Sequence, residues 1–264
     1  MTKIAIVTGG SSGIGKDVAA QLSTNGYKVY EFSRKGVSKN GIEHCTVDVT
    51  NEKLVQEIVN NIFEHEQRID LVINSAGFGM SGCCEFTSQA DALHQIEVNL
   101  IGTANVANAV LPYMRKKGTG RIINISSVAA VMPLPFQVWY SSSKAGINSY
   151  SLGLANEVKP YGIEVCAVMF GDLCTGFTSA RCHVSAGDKE YGGRISRSIA
   201  KTEKDEKSGK TPDKAAEYIL HILRKKRLPL LCTMGLAYKG AVFLDRIITT
   251  RFKNYLLYKL YGGE

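Results

Sequence analysis

The sequence lacks the features that would place it among membrane-spanning, disulfide-rich or metal-binding proteins. None of its apolar runs reaches the roughly 18 uninterrupted residues that a transmembrane helix needs. The apolar run at residues 4–7 is too short for the core of a signal peptide. The seven cysteines form no Cys-x-x-Cys pair, and their spacing suits neither a disulfide framework nor a zinc site. We therefore expect a cytoplasmic protein with reduced thiols and no metal.

Outside the C-terminal fifth of the chain, positively and negatively charged residues nearly cancel. The net charge is +8, and residues 214–264 hold ten Lys and Arg against three Asp and Glu, which accounts for +7 of it. No nucleic-acid-binding motif accompanies this charge, so we expect no nucleic-acid partner. The length of 264 residues and the hydrophobic fraction of 44% suit one globular domain, residues 1–264, because no linker or repeat divides the chain.

Short runs rich in Val and Ile alternate with helical patterns along most of the chain. Such runs are typical of parallel strands whose two faces are both covered by helices. Strands are predicted at residues 3–8, 27–33, 42–48, 69–74, 121–126 and 163–170, and helices at residues 13–24, 52–66, 90–116, 140–158 and 212–224. The alternation predicts a doubly wound α/β fold with a parallel sheet of about seven strands.

Two segments interrupt this alternation. Residues 172–211 form a long polar stretch that ends in a charge run, which we interpret as a substrate lid. Residues 234–264 form a C-terminal extension, for which we predict a helix with an apolar stripe. The stripe consists of Leu244, Ile247, Ile248, Phe252, Tyr255 and Leu256. Such a helix can pack on the core or on another subunit, border the substrate pocket, or make peripheral contact with an anionic membrane surface.

A glycine-rich turn joins the first predicted strand to the first helix. It reads Thr-Gly-Gly-Ser-Ser-Gly-Ile-Gly over residues 8–15. Glycines there allow a tight turn and bring the backbone close to a pyrophosphate, whose charge the helix N-terminus attracts. The turn predicts a dinucleotide-binding site. Its residues are Thr8, Gly9, Ser11, Ser12, Gly13, Ile14 and Gly15.

A Tyr-x-x-x-Lys pattern occurs three times, and only one copy has a suitable serine upstream. The copies are Tyr113/Lys117, Tyr140/Lys144 and Tyr255/Lys259. Ser127 precedes Tyr140 by thirteen residues and follows a predicted strand, whereas the equivalent positions for the other two copies are Leu100 and Val242. Tyr140 and Lys144 lie one helical turn apart on the same face. This set resembles the catalytic signature of the short-chain dehydrogenase/reductase family, which implies that Ser127, Tyr140 and Lys144 carry out catalysis.

The residue types fit the interconversion of an alcohol and a ketone. Reduction needs a hydride on carbon, which a nicotinamide cofactor supplies, and a proton on oxygen. A free tyrosine, with a pKa of about 10, is a poor acid–base group at neutral pH. A lysine cation close to Tyr140 favours the phenolate and lowers that pKa, while Ser127 can hydrogen-bond the substrate oxygen.

The Thr-Gly-x-x-x-Gly-x-Gly turn and the Ser127, Tyr140, Lys144 set resemble the short-chain dehydrogenase/reductase family over nearly the whole chain. The resemblance implies a Rossmann fold, a ribose-binding role for Lys144 and a water-anchoring catalytic role for Asn99. Further cofactor contacts that it implies are Asp48 and Val49 at the adenine, Asn74, Ala76 and Gly77 in an Asn-Ser-Ala-Gly motif, and Gly171 and Thr175 beside the nicotinamide. Two residues depart from the family pattern, Ser75 in place of asparagine and Phe170 in place of proline.

The end of the second strand indicates which nicotinamide cofactor is bound. A carboxylate at this point binds the ribose of NAD, whereas an arginine accommodates the 2′-phosphate of NADP. The strand ends in Ser33, Arg34 and Lys35, and Glu31 is expected to lie deeper in the strand. We therefore predict NADP(H) rather than NAD(H).

These observations predict an NADP(H)-dependent oxidoreductase that interconverts a secondary alcohol and a ketone. Residues 251–262 resemble the hydroxysteroid and retinol dehydrogenase branch of the family, which implies a lipophilic substrate such as a bile acid, another steroid or a retinoid-like compound. We expect a role in lipid or steroid metabolism and a homodimer or homotetramer. A 3-oxoacyl-[acyl-carrier-protein] reductase, which uses the same four catalytic residues, and a non-catalytic NADP-binding sensor are the alternatives.

Overall fold

A seven-stranded parallel sheet forms the centre of the computed structural model, which describes residues 2–263. In chain order the strands are β1 (Lys3–Thr8), β2 (Tyr27–Ser33), β3 (Ile42–Thr46), β4 (Leu71–Asn74), β5 (Met80–Ser81), β6 (Gly120–Ser127), β7 (Ile163–Phe170), β8 (Cys182–His183) and β9 (Leu231–Thr233). The sheet order is β3-β2-β1-β4-β6-β7-β9, while β5 and β8 pair separately. The predicted single-domain α/β fold is confirmed.

Helices cover both faces of this sheet. They are α1 (Gly13–Thr24), α2 (Glu52–Glu66), α3 (Gln89–Ile96), α4 (Gly102–Lys117), α5 (Val138–Val158), α6 (Arg194–Lys207), α7 (Pro212–Leu223), α8 (Leu236–Asp245) and α9 (Thr250–Tyr261). Side chains of β1 alternate between two cores: Ile4 and Ile6 pack with residues of α2 and α4, and Ala5 and Val7 pack with residues of α1 and α7. Burial on both faces explains why these strands are continuously apolar.

The strand order reverses direction between β1 and β4. Because all the strands are parallel, the carboxyl ends of β1, β4, β6 and β7 lie along one edge of the sheet. Ligands of open α/β sheets bind at this edge, beside the point where the strand order reverses. The predicted glycine-rich turn continues from the end of β1 at this edge, and Ser127 is the last residue of β6.

Several predicted boundaries differ from the structure for identifiable reasons. The helix predicted at 90–116 is divided by a π-helical segment, Glu97–Ile101, which contains Asn99. The predicted lid, 172–211, contains α6, whose few buried residues gave a weak apolar pattern in the sequence. The strand β9 was not predicted because it has only three residues.

The single helix predicted for the C-terminal extension is wrong. The chain forms α8 and α9, separated by residues 246–249, because Thr249 caps a new helix by accepting a hydrogen bond from the N–H of Phe252. The predicted apolar stripe crosses this break, so its members do not share one helix face. Glu264, at the end of the predicted extension, lies outside the described residues.

Candidate active site

The glycine-rich turn brings the backbone of β1 against the segment that follows β4. A side chain on Gly9, whose φ is +67°, would place its Cβ 2.9 Å from the Cα of Ala76. Thr8 closes the same contact, since its Oγ1 accepts hydrogen bonds from the N–H groups of Ser75 and Ala76 at 3.0 and 2.9 Å. A Cβ on Gly15 would lie 2.4 Å from the carbonyl oxygen of Gly9. The turn is therefore too tight for side chains at these positions.

The N-terminus of α1 is available to a phosphate group. Ser12 occupies the N-cap position with an extended backbone, and its side chain makes no capping hydrogen bond. The first N–H groups of the helix therefore need an acceptor from outside the helix, and their dipoles favour an anion. This geometry fits a dinucleotide pyrophosphate.

A cavity of about 560 Å³ opens at this edge of the sheet. The predicted site residues that line it are Gly9, Ser12, Gly13, Ile14, Ala76, Gly77, Ser127, Tyr140, Lys144, Gly171 and Thr175. Those that do not line it are Thr8, Ser11, Gly15, Ser33, Arg34, Lys35, Asp48, Val49, Asn74 and Asn99. The sequence therefore identified one wall of the cavity and the turn that leads into it.

The end of β2 presents two unpaired cations beside the turn. Arg34 and Lys35 are exposed and form no ion pair with any described residue, while the hydroxyl of Ser33 donates to the carbonyl oxygen of Lys35 at 2.9 Å. Glu31 is buried and its carboxylate lies 2.6 Å from Nδ1 of His44. Glu31 therefore lies below the strand tip, as expected, and the exposed charge at the tip is positive.

Asp48 and Val49 lie at the start of the segment that leads to α2. The carboxylate of Asp48 accepts hydrogen bonds from the N–H and hydroxyl of Thr50. Burial alone would raise the pKa of Asp48, but these hydrogen bonds and the charge of Arg34 bring the pKa below its usual value. Val49 packs against Gly102, where a Cβ would lie 2.5 Å from its Cγ2. An anionic Asp48 is thus held near Arg34.

Asn74 connects the sheet to the helices behind the cavity. Its Nδ2 donates to Oδ1 of Asn124 at 2.9 Å, and Nδ2 of Asn124 donates to the hydroxyl of Ser151 at 2.9 Å. The side chain of Asn74 therefore lies in the core, away from the cavity. Its cofactor contact stays a prediction, and the structure assigns its side chain to the packing of β4, β6 and α5.

The three catalytic candidates converge on the floor of the cavity. Ser127 ends β6 and lines the cavity together with Tyr140, which lies in the first turn of α5. Lys144 lies one turn later, with its Nζ 5.8 Å from the centre of the Tyr140 ring. This ammonium is buried and donates to the carbonyl oxygen of Ile125 at 2.8 Å. The structure therefore brings together the three residues that the sequence pattern selected.

Burial shifts the pKa values of both titratable groups in this set. It raises the pKa of Tyr140 to about 12, although Ser127 acts in the opposite direction, so the lowered pKa that we expected from Lys144 is not found. It lowers the pKa of Lys144 to about 8, because a buried ammonium loses its hydration. A neutral Tyr140 beside a largely cationic Lys144 at neutral pH is suited to donating a proton to a carbonyl oxygen.

The two other Tyr-x-x-x-Lys copies lie away from the cavity. Tyr113 stacks on Phe63 with the ring centres 4.0 Å apart and donates to Asn60, and Lys117 pairs with Asp70. Tyr255 is exposed on α9. Neither copy is placed beside Ser127 or the glycine-rich turn.

Asn99 supports the loop over Lys144. Its Oδ1 accepts from the N–H of Phe78 at 3.0 Å, and its Nδ2 donates to the carbonyl oxygen of Phe78 and the hydroxyl of Ser143. A Cβ at Gly77 would lie 2.9 Å from Oδ1 of Asn99 and 3.9 Å from Nζ of Lys144. The π-helical turn therefore places the amide of Asn99 close to Lys144, and its proton-relay role stays a prediction.

Phe170 continues β7 where the family has proline. It is buried and packs edge-on against Tyr218, with the ring centres 6.4 Å apart. Gly171 follows directly, and a Cβ there would lie within 2.2 Å of the Tyr238 ring. Thr175 turns the chain back, because its Oγ1 accepts from the N–H of Phe177 at 3.0 Å. Gly171 and Thr175 therefore lie in the cavity wall despite the phenylalanine at position 170.

The cavity has a second wall whose individual residues were not identified from the sequence, although residues 172–211 were interpreted as a substrate lid and the C-terminal extension as a segment that can border the pocket. That wall includes Asp172, Phe177 and Glu206 from the lid segment, and Tyr238, Ala241, Leu257, Leu260 and Tyr261 from α8 and α9. The C-terminal helices therefore do border the cavity, but through residues outside the predicted stripe. Four stripe members are exposed instead: Leu244, Ile247, Phe252 and Tyr255. Hydrophobicity alone could not distinguish the two faces, because both are apolar.

The nucleotide-binding turn and the Ser127, Tyr140, Lys144 set together define a nicotinamide-dependent oxidoreductase of the CH–OH/carbonyl class. The short chain dehydrogenase family model matches residues 3–183. The chain therefore belongs to the short-chain dehydrogenase/reductase family.

Individual proteins agree with this assignment. A 3-ketodihydrosphingosine reductase from Bacteroides thetaiotaomicron is 40% identical over 236 residues, which cover 88% of each chain. A short-chain dehydrogenase from Streptomyces avermitilis has a TM-score of 0.83 at 26% identity, with 93% of each chain covered. ElxO with NADP bound has a TM-score of 0.75 at 27% identity, with coverage of 91% of this chain and 100% of that one.

Removing the Tyr140 hydroxyl should greatly lower the rate of the chemical step. In Tyr140→Phe the ring remains but the transferable proton is lost, so we expect kcat for ketone reduction to fall about 10²- to 10⁴-fold. NADPH affinity, measured by fluorescence titration, should change little. Tyr255→Phe is the matched control and should retain turnover of a soluble ketone. Near-normal turnover by Tyr140→Phe would show that another group supplies the proton.

Substituting Ser33 and Arg34 at the end of β2 should change cofactor preference. The double variant Ser33→Asp/Arg34→Ser removes the cation that we predict to bind the 2′-phosphate and adds a carboxylate that can bind a ribose hydroxyl. We expect the ratio of kcat/KM for NADPH to kcat/KM for NADH to fall by about tenfold or more, the loss of one charge-assisted contact. Lys53→Ser, which removes an exposed lysine on α2, should leave that ratio unchanged. An unchanged ratio in the double variant would contradict this interpretation of Arg34.

Proposed function

We propose that this enzyme uses NADPH to reduce the ketone of a long-chain amino lipid of the 3-ketodihydrosphingosine type. The observation that carries the proposal is the contrast between two parts of the cavity. Carboxylates act on the reacting hydroxyl of Tyr140, whereas the loop after β6 and α9 give the same cavity an apolar wall. The relative from Bacteroides thetaiotaomicron, named for such a substrate, supports the same class.

NADPH is the cofactor that the turn and the end of β2 fit best. The free N–H groups at the start of α1 would hold the pyrophosphate, and Arg34 and Lys35 would hold a 2′-phosphate. Bound NADPH supplies the hydride that is added to the carbonyl carbon. The NADP in the similar structure of ElxO agrees with this choice.

The protein's own side chains orient the carbonyl and supply the proton. Ser127 and Tyr140 present neighbouring hydroxyl groups to the substrate oxygen, so the carbonyl is held by two hydrogen bonds. Tyr140 then donates its proton to that oxygen as the carbon becomes tetrahedral. The cation of Lys144 stabilises the phenolate that remains on Tyr140 until a proton from solvent replaces the one donated.

The apolar wall suits an alkyl chain. Met132 and Leu134 come from the loop after β6, and Leu257 and Leu260 from α9. Burying a chain along such a wall is favourable by about 0.8 kcal/mol for each methylene group. A substrate with a long alkyl chain therefore gains much of its binding free energy here.

Asp172 supplies a negative charge at the polar part of the cavity. Its carboxylate accepts a hydrogen bond from the hydroxyl of Tyr238 but forms no ion pair within the described residues. Burial raises the pKa of Asp172, and the negative charge of Asp205 adds to this shift. Glu206, by contrast, is already paired with Arg181 and accepts from Thr178. Asp172 is thus the carboxylate that lacks a cation.

A 2-amino ketone would supply that cation. In 3-ketodihydrosphingosine the ammonium group is attached to the carbon next to the carbonyl. The charges of Asp172 and Glu206 both act on Tyr140, which indicates that they lie near the position of the carbonyl. An ammonium beside Asp172 would form a charge-assisted hydrogen bond with this partly buried carboxylate. A neutral steroid or retinoid offers no such partner, although the same catalytic residues could reduce it.

Substrate selectivity and its dependence on Asp172 test this proposal. We expect turnover of 3-ketodihydrosphingosine in preference to hydroxysteroids, retinoids and 3-oxoacyl thioesters, followed by NADPH absorbance. In Asp172→Asn, KM for the amino ketone should rise about tenfold or more, with little change for a matched ketone that lacks the amino group. The asparagine can still accept a hydrogen bond from Tyr238, which preserves the local structure.

Asp213→Asn is the control, because Asp213 is exposed at the start of α7 and does not line the cavity. It should leave KM for both ketones unchanged. Turnover confined to steroids, retinoids or acyl thioesters would contradict the proposed function. Equal losses on both ketones in Asp172→Asn would instead reject only the role of Asp172.

A further inference from the structure

The outer surface of α8 and α9 carries an unusual concentration of exposed apolar side chains. In the described part of the chain, fourteen large apolar residues are exposed, and eight of them lie between Leu236 and Leu260. Phe243, Ile247 and Phe252 are 64%, 66% and 50% exposed. We call the group formed by Leu236, Phe243, Leu244, Ile247, Phe252 and Tyr255 the outer face. A concentration of exposed apolar side chains of this kind is typical of an interaction site.

The sequence of α8 explains why the helix is apolar on two sides. Leu236, Phe243 and Leu244 recur at spacings of seven and eight residues, which places them on one face of a helix. Tyr238 and Ala241 point to another face and line the cavity. The cavity therefore explains why the inner residues of α8 are apolar, but it does not explain why the outer ones are.

The helices that carry the outer face are fixed to the rest of the protein. Nζ of Lys253 donates to the carbonyl oxygen of Val131 at 3.0 Å and pairs with Asp245 at 2.6 Å. At the end of α9, side chains of α6 donate to backbone carbonyl groups, including Arg194 to Gly262 at 2.8 Å. The outer face is thus presented by anchored helices.

Positive charge accompanies the outer face. Residues 236–263 contain five Lys and Arg and one Asp. Lys239, Arg246 and Arg251 are exposed and form no ion pair with any described residue. Apolar and aromatic side chains bordered by cations suit the interface of a bilayer with anionic headgroups. Within residues 2–263, no helix is both long enough and apolar enough to cross a membrane.

The same charge opposes the alternative occupant, a second copy of the chain. A two-fold contact through the outer face would bring the face against itself, with Arg246 and Arg251 added to the equivalent cations of the partner. Like charges in a partly desolvated contact are unfavourable. An anionic lipid surface complements both the charge and the hydrophobicity.

We propose that the outer face docks on an anionic lipid bilayer and holds the cavity beside it. Leu260 connects the two sites, because it lines the cavity and is nevertheless 59% exposed. A lipid could then pass between the bilayer and the cavity along α9. The docking itself is independent of the proposed substrate, whereas this route for the substrate rests on the proposed function.

Sedimentation with vesicles tests the docking directly. Vesicles of phosphatidylcholine and phosphatidylglycerol should carry the wild-type protein into the pellet, and added salt should weaken this binding. The variant Phe243→Ser/Ile247→Ser/Phe252→Ser should bind at least about tenfold more weakly, since three apolar side chains can no longer insert. None of the three lines the cavity, so NADPH affinity and turnover of a short soluble ketone should be unchanged.

Matched substitutions elsewhere control for general loss of hydrophobicity or charge. Leu93→Ser/Leu230→Ser alters exposed leucines on other surfaces and should bind vesicles like the wild type. Arg246→Glu/Arg251→Glu should lose the preference for phosphatidylglycerol, whereas Lys225→Glu/Lys226→Glu should retain it.

The proposal is overturned if the wild type does not sediment with the vesicles or if the triple variant sediments equally well. It is also overturned if analytical ultracentrifugation shows a dimer that the triple variant disrupts while vesicle binding is absent. Each of these results can be obtained without turnover of a lipid, so failure of the docking is distinguishable from failure of the proposed substrate.

Discussion

A buried ammonium is the constraint on which the rest of the site depends. Lys144 is 6% exposed, and within the described residues its one hydrogen bond is to the carbonyl oxygen of Ile125. An ammonium has three donors, so two remain for groups bound in the cavity. Burial of this cation is unfavourable because the ammonium loses its hydration. Lys144 nevertheless lies beside Tyr140, between the end of β6 and the π-helical turn, and the absence of a side chain at Gly77 leaves room for it.

The sequence predicted the parts of the site whose chemistry limits the choice of residue. Only glycine fits where the turn crosses Ala76, and only one of three Tyr-x-x-x-Lys copies had a hydroxyl at the required spacing. These constraints act on residues close together in the chain, so they are visible as sequence motifs. The parallel sheet was equally predictable, because its strands are buried on both faces and their apolar runs are continuous.

The residues of the second wall could not be predicted individually, because their positions depend on tertiary packing. Helix α6 buries Ile195, Ser198 and Thr202, a pattern too polar to distinguish from a loop. In the C-terminal extension the apolar periodicity was real, but the cap at Thr249 divides it between two helices. Leu257, which was outside the predicted stripe, is buried instead. The orientation of an element that is apolar on two faces is decided by its neighbours.

The proposed function and the proposed docking of the outer face together describe an enzyme for a lipid ketone. The central claim is that hydride and proton are added to one carbonyl beside Tyr140. Reduction of 3-ketodihydrosphingosine with NADPH deuterated on the transferable position of the nicotinamide, followed by mass spectrometry, tests it directly. The account predicts one deuterium on the new carbinol carbon of the product. Oxidation of the labelled NADPH without deuterium on that carbon would contradict it.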